Sequence, residues 1–297
     1  VKCIYIDPPY NTDASPIMYK NDYRRSSWVC LIESRLKLSV PYLSETGILC
    51  VTVDDFQQKE LHSLMENVFG RPNILGTVVI RNNPSGRPAQ TGFSVSHEYA
   101  IFAGAGRKAT IKKLKRSESQ NKRYKQLDEQ GPFMWELLRK RGSDSERKDS
   151  PRLYYPFYVS KDSIRVPEMK WQEERRSWTV KEEPRDDEVV VYPIDESGIE
   201  RRWRWGVERA RKNCHELKVI KNPHGNYVVY YKYRPPDGIM PTTTWIDPKY
   251  SATEHGTGLL KTFFAEYDPF SFPKSVYAVE DCIRISGLDN PIIRNPV

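Results

Sequence analysis

A short apolar run, Lys2-Cys3-Ile4-Tyr5-Ile6, stops at Asp7-Pro8-Pro9-Tyr10, and this junction constrains the fold more than any other stretch of the chain. Two successive prolines carry no amide donor and have a fixed φ, so a strand over 2–6 cannot extend its ladder past residue 7. The pattern beyond it is regular. Residues 26–43 place Val29, Ile32, Leu36 and Val40 at helical spacing, with Ser26 or Ser27 as the cap. Gly47 closes that unit, and Ile48-Leu49-Cys50-Val51-Thr52-Val53 reads as a strand ended by Asp54-Asp55. The spacing predicts a second helix over 56–69 followed by Gly70, then strands over 77–81 and 99–103 separated by the Asn82-Asn83-Pro84-Ser85-Gly86 loop. Strands alternating with helices across short connections specify an α/β sheet.

The chain has 297 residues, a length that suggests two domains. A hydrophobic share of 38% with 12% aromatics can build a core and excludes disorder throughout. No stretch approaches the roughly 18 apolar residues of a membrane span, and no secretory leader pattern is visible. The cysteines Cys3, Cys30, Cys50, Cys214 and Cys282 are odd in number and never form CxxC, so neither a disulfide framework nor a zinc site is indicated, and packing roles in a reducing cytoplasm are expected. Because Val1 leads directly into a strand without an initiator Met, a piece of a longer polypeptide is expected.

The net charge of +8 is not evenly spread. Residues 107–185 hold 22 Lys and Arg against 13 Asp and Glu, a net of +9, whereas the rest holds 25 against 26, a net of −1. Tyr124, Phe133, Trp135, Tyr154, Tyr155, Phe157, Tyr158, Trp171 and Trp178 interleave with these cations. Cations suit phosphates and aromatic faces suit exposed bases, so salt-dependent nucleic-acid binding by this region is expected. For the run 112–125 alone, a solvated helical face accounts for the charge as well. From Gly104 the sequence turns charged and Pro-punctuated, with strand-like pieces over 153–159, 188–192 and 227–233, and helical spacing returns over 258–264 and 276–285.

The Asp7-Pro8-Pro9-Tyr10 junction has a definite chemical use. In open α/β sheets ligands bind at the carboxyl ends of the strands. There a carboxylate and the adjacent Pro8 carbonyl can both accept hydrogen bonds from one exocyclic amino group while Tyr10 stacks on the base that carries it. Drawing those protons toward oxygen makes the nitrogen a better nucleophile. The base must first leave its helix. A strand followed by a proline-rich turn is the plainer reading of four residues alone.

Residues 2–12 (KCIYIDPPYNT) resemble the catalytic motif of amino-group DNA methyltransferases whose catalytic half comes first, the beta arrangement. Residues 28–43, 47–55, 96–99, 201–206 and 241–250, and 253–274 (TEHGTGLLKTFFAEYDPFSFPK), follow in the order of modification subunits of type III restriction systems. The resemblance implies a partial Rossmann-like α/β methyltransferase sheet with helices on both faces. It also implies an inserted α+β target-recognition domain. The boundaries expected are a catalytic half over 1–104, a basic insert over 105–252 and a return to the core over 253–297. It further implies methyl transfer from S-adenosylmethionine to adenine N6 in double-stranded DNA, although cytosine N4 stays open. On this carry-over Asp7, Pro8, Pro9 and Tyr10 are catalytic, and Phe272, Pro273, Lys274 and Asp54 lie beside the cofactor. His97 faces the same cleft; for it and for Asp54 an ordinary cap or loop hydrogen bond is an equal alternative. Lys112, Lys113, Lys115, Arg116, Arg139, Lys140, Arg141, Arg202 and Arg204 are the expected DNA contacts. The partners implied are duplex DNA, a restriction (Res) subunit and a second copy in a homodimer, in a prokaryotic cytoplasm at the nucleoid.

One part of the family pattern is missing. An aromatic-Gly-x-Gly cofactor loop should follow the Phe-Pro-Lys segment, and Gly104-Ala105-Gly106 reads as a turn instead. An incomplete methyltransferase is therefore expected, and micromolar S-adenosylmethionine binding by this chain in calorimetry would contradict that. No cysteine follows a proline, which disfavours carbon-5 methylation. The five histidines show no metal spacing, and no phosphate-binding GxxxxGK[ST] occurs. A non-catalytic DNA-recognition fragment and an RNA or ribosomal-protein amino methyltransferase are the alternatives.

Overall fold

The computed structural model describes residues 1–11, 24–87, 91–161, 163–223, 225–264 and 272–288. The chain divides into two compact units, residues 1–116 with 237–297, and residues 117–236.

The first unit is a mixed five-stranded sheet between helices. Its main elements are β1 (Cys3–Ile6), α1 (Arg24–Ser39), β2 (Ile48–Val53), α2 (Gln58–Phe69), β3 (Ile74–Ile80) and β4 (Glu98–Gly104). The strand order is β1, β2, β4, β3 and then the short strand Thr244–Trp245. β1 runs parallel to β2 with Ile6 opposite Val51, and β4 runs antiparallel to both β2 and β3. Because side chains alternate across a strand, β2 serves two cores at once. Leu49, Val51 and Val53 join Trp28, Ile32 and Leu36 of α1 and Leu61 and Met65 of α2 on one face. Ile48 and Cys50 join Trp245, Tyr250, Ala278 and Cys282 on the other, where the helix Val276–Arg284 packs. The unbroken apolar run is thus the signature of burial on both sides. The expected α/β sheet with helices on both faces is what forms.

The expected insert boundaries fall elsewhere in space. Leu114 is buried in the first unit's core and exchanges both backbone hydrogen bonds with Ile239 at 2.9 Å, while Trp245 and Tyr250 stack in the same core. Residues 105–116 and 237–252 therefore lie with the first unit. The same pairing keeps residues 112–115 extended rather than helical, and only Glu118–Asn121 forms a short helix in that run. Gly104 ends β4, and Ala105-Gly106 leads into a turn over 106–109, closed by Ala109 N–H on the Gly106 carbonyl at 3.0 Å. Of the cysteines, Cys50 and Cys282 are buried and Cys3 and Cys214 half-buried, but Cys30 is exposed and packs in no core.

The second unit is mostly β. A four-stranded antiparallel sheet, a three-stranded sheet and a two-stranded hairpin surround a core of Tyr155, Phe157, Trp203, Trp205, Val229 and Tyr231. Aromatics expected to serve as stacking faces are largely consumed here. Tyr124, Phe133, Tyr155, Phe157 and Tyr158 are buried, and Arg147 and Arg152 already lie over Tyr154 and Trp171. Their interleaving with cations reflects core positions alternating with surface ones along short strands.

Arg165 makes a two-pronged ion pair with the buried Glu188, at 2.6 and 2.7 Å. The guanidinium holds the Glu188 carboxyl down to about 2, below its ordinary value near about 4.3. Ionised Glu188 therefore adds stability above about pH 4.3 that is lost as pH falls through the folded value. Glu188→Gln is expected to destabilise the second unit by about 2 kcal/mol at pH 7, with the difference from the parent vanishing near pH 2, as read by urea denaturation at stepped pH.

Candidate active site

The parallel pairing of β1 with β2, and the reversed run of β4 beside them, bring three chain positions to one edge of the sheet. β1 ends into Asp7 and β2 into Asp54, while β4 begins at that edge with Glu98, opposite Ile80 of β3. Asn82 follows β3 at the same edge. A cavity of about 660 Å³ opens there, lined among others by Asp7, Tyr10, Asp54, Asn82, Phe272 and Lys274. That volume lies within the range of about 300–1,000 Å³ usual for small-ligand sites.

The Asp7-Pro8-Pro9-Tyr10 loop is anchored at both ends. Trp28, wholly buried on α1, donates its indole N–H to the Pro9 carbonyl at 2.7 Å. Thr52 of β2 donates its hydroxyl to Asp7 Oδ1 at 2.8 Å. Tyr10 donates its hydroxyl to Glu98 Oε2 at 3.0 Å. Burial first, then the nearby Glu98 and Asp7 charges, push the Tyr10 phenol well above its usual value, so it stays a protonated donor.

Lys274 closes this set from 264 residues further along the chain. Its ammonium lies 2.9 Å from Glu98 Oε2 and 3.3 Å from Asp7 Oδ1, donates to the Tyr10 hydroxyl, and sits 4.2 Å from the Tyr10 ring centroid. The ring expected to stack on a base therefore already carries a cation. Two features place Lys274. Ser275 Oγ donates to the Lys249 carbonyl at 2.7 Å. Gly256 lies against the backbone of residues 273–274 so closely that a Cβ there would be 2.7 Å from the Pro273 oxygen.

Asp54 is 3% exposed. One oxygen accepts from the Phe56 amide at 3.1 Å, and Oδ2 is buried without a partner among the described residues, as is Asn82 Oδ1. Burial raises the Asp54 carboxyl above the ordinary range, against the Phe56 N–H and the Arg87 charge. Phe272 is exposed at the cavity mouth with φ of 58°, and Pro273 is half-buried beside it. Two buried acceptors next to apolar walls suit a ligand with both N–H or O–H donors and an apolar body. His97 does not line this cavity; its ring pairs with the Tyr99 hydroxyl at 3.0 Å, which in turn donates to Asp55 at 2.8 Å. Among the described residues no group of His, Cys, Asp and Glu could hold a metal, and no helix is long and apolar enough to cross a membrane.

The basic residues separate into two places. Lys112, Lys113 and Lys115 are exposed on the extended segment of the first unit, with Arg116 half-buried at its end. Residues 138–140 and 202–204 of the second unit pair as a short antiparallel ladder, with Lys140 N–H on the Arg202 carbonyl and Arg204 N–H on the Leu138 carbonyl, each at 2.9 Å. The two-residue alternation turns Arg139 and Trp203 inward. Arg139 is 6% exposed and ion-paired to Glu196 at 2.8 Å, whereas Arg141 and Arg204 are exposed and Arg204 lies 3.5 Å from Glu136. Lys140 and Arg202 are half-buried.

Glu98, Thr52, Asn82 and Trp28 are site residues that the linear pattern did not single out. A charged residue at the head of an otherwise apolar strand, and a hydroxyl inside Ile48–Val53, were the available signals.

A family model described as DNA methylase, of the N6/N4 type, matches residues 1–294. Type II methyltransferase M.KpnI of Klebsiella pneumoniae is 29% identical over 300 residues, spanning 97% of this chain and 66% of that protein. The type III restriction-modification enzyme EcoPI Mod subunit of Escherichia phage P1 is 27% identical over 331 residues, 99% of this chain and 49% of that subunit. The probable HindVI Mod subunit of Haemophilus influenzae is 36% identical over 86 residues, 29% of this chain and 12% of its own. The chain thus spans less than two-thirds of the length of the first of these relatives and about half of the second.

Replacing Gly256 by Ala would force the 273–274 backbone to shift. A loss of about 1–3 kcal/mol is expected from such overpacking, read by chemical denaturation. An unchanged midpoint would show that this close approach does not hold the segment.

Proposed function

Since the chain belongs to the N6/N4 DNA methylase family, we propose that it carries the amine-binding and target-reading parts of a DNA methyltransferase that acts on adenine N6 in duplex DNA. The observation that carries the proposal is the convergence of Asp7, Tyr10, Glu98 and Lys274 on a cavity at the carboxyl edge of β1 and β2.

In this reading a flipped adenine enters the cavity and gives its amino hydrogens to Asp7 and to the Pro8 carbonyl. Those acceptors are fixed before the base arrives, because the prolines stiffen the loop and Trp28 holds it. Drawing both hydrogens toward oxygen leaves the N6 lone pair directed at the incoming methyl. The residues that would hold S-adenosylmethionine are Asp54, Asn82, Phe272 and Pro273, whose unpartnered acceptors and apolar surface match its hydroxyl and amino donors and its flat ring. When bound, that cofactor supplies an electrophilic methyl group. Lys112, Lys113 and Lys115, together with Arg141, Arg202 and Arg204, would contact phosphates and position the duplex. The type III Mod relatives favour a modification role, with a Res-type nuclease subunit, a second copy of the chain and a cytoplasmic setting as its further parts.

DNA incubated with S-adenosylmethionine and this chain completed by an aromatic-Gly-x-Gly cofactor segment, then digested and analysed by mass spectrometry, is expected to contain N6-methyladenine. N4-methylcytosine would move the target to cytosine, and methylated RNA in place of DNA would favour an RNA enzyme. In the completed protein Asp7→Ala is expected to lower methylation about a hundredfold or more while leaving gel-shift affinity for duplex DNA nearly unchanged. Methylation that survives this substitution would remove Asp7 from the chemistry.

A further inference from the structure

The Asp7 carboxylate is held by one oxygen. Thr52 Oγ1 donates to Oδ1 at 2.8 Å, and the Lys274 ammonium approaches the same Oδ1 at 3.3 Å. Lys274 is itself fixed by Glu98 Oε2 at 2.9 Å, and Thr52 and Glu98 are 1% and 2% exposed. The Asp7 side chain is the open member of the group, 36% exposed at the cavity. A carboxylate offers two oxygens, and rotation about its last bond is soft. A hydroxyl donor and an ammonium charge on the same oxygen restrict that freedom.

We infer that Thr52 and Lys274 clamp Asp7 through Oδ1 and so dedicate Oδ2 to the amino group of the incoming base, an inference that rests on the proposed role of Asp7 as amine acceptor. Thr52 and Lys274 are then positioning residues that set the direction in which the N–H bond must point. Thr52 lies on the strand that determines where Asp7 sits, because β1 and β2 are paired in register up to Ile6 and Val51. Hydrogen-bond strength falls steeply with angle, so an acceptor fixed in direction separates a ligand bearing an N–H there from one that lacks it.

The probes are adenosine and purine riboside, which differ only by the amino group, titrated into the full chain and followed by NMR. The parent is expected to prefer adenosine. Thr52→Val keeps the shape and removes the hydroxyl, and it is expected to narrow that preference about fivefold by weakening adenosine alone. Thr52→Ser is expected to restore it. The double variant Lys274→Met with Glu98→Gln removes one charge of each sign and is expected to narrow the preference to a similar degree. A parent that prefers adenosine alongside a Thr52→Val variant that prefers it equally would overturn the clamp and leave the proposed function standing. A parent that binds both nucleosides equally, or neither, would overturn the amine-acceptor role of Asp7 and the clamp with it.

Discussion

The Lys274 ammonium holds together groups that the chain keeps far apart. Asp7 and Tyr10 come from the loop after β1, Glu98 from the head of β4, and Lys274 from the segment before the helix Val276–Arg284. Glu98 is almost fully removed from water, and a carboxylate in that position is tolerable only with a partner of opposite charge and good geometry. Lys274 is that partner, and the Tyr10 hydroxyl supplies a further hydrogen bond to the same oxygen. The pair adds little net stability relative to an apolar substitute, yet breaking it leaves one buried charge uncompensated. Such an arrangement fixes a geometry more than it adds stability. The geometry it fixes is the direction of Asp7.

Sheet topology explains why these groups meet. β1 and β2 run in parallel, so their following residues, Asp7 and Asp54, emerge at one edge. β4 runs the other way and therefore delivers its first residue rather than its last. The cavity sits where the sheet has no further strand residues to fill it, and the 273–274 segment, held close by Gly256, forms part of its wall.

The sequence was most readable where one physical signal dominated. β2 is legible at both ends, Ile48–Val53, because burial on both faces demands an unbroken apolar run, and β1 is legible at its end, Ile6, because prolines stop it, while it starts at Cys3 rather than Lys2. Glu98 was not singled out, since its importance lies in a partner 176 residues away that no local pattern specifies. The insert edges were misplaced because charge and composition shift at Gly104, whereas packing continues through Leu114 and resumes before Trp245. In the second unit the interleaved cations and aromatics resembled a binding face. Most of those rings are core, and Arg139 is turned inward by the two-residue period of its strand.

Glu98 and Lys274 act as one unit on the Asp7-Pro8-Pro9-Tyr10 loop. A double-mutant cycle of Glu98→Gln and Lys274→Met, followed by urea denaturation, measures this directly. Each single variant leaves a buried charge without its partner, so each is expected to cost more than the double, with a coupling of about 1–3 kcal/mol. Strictly additive effects would show that the two side chains do not depend on each other, and would contradict the account.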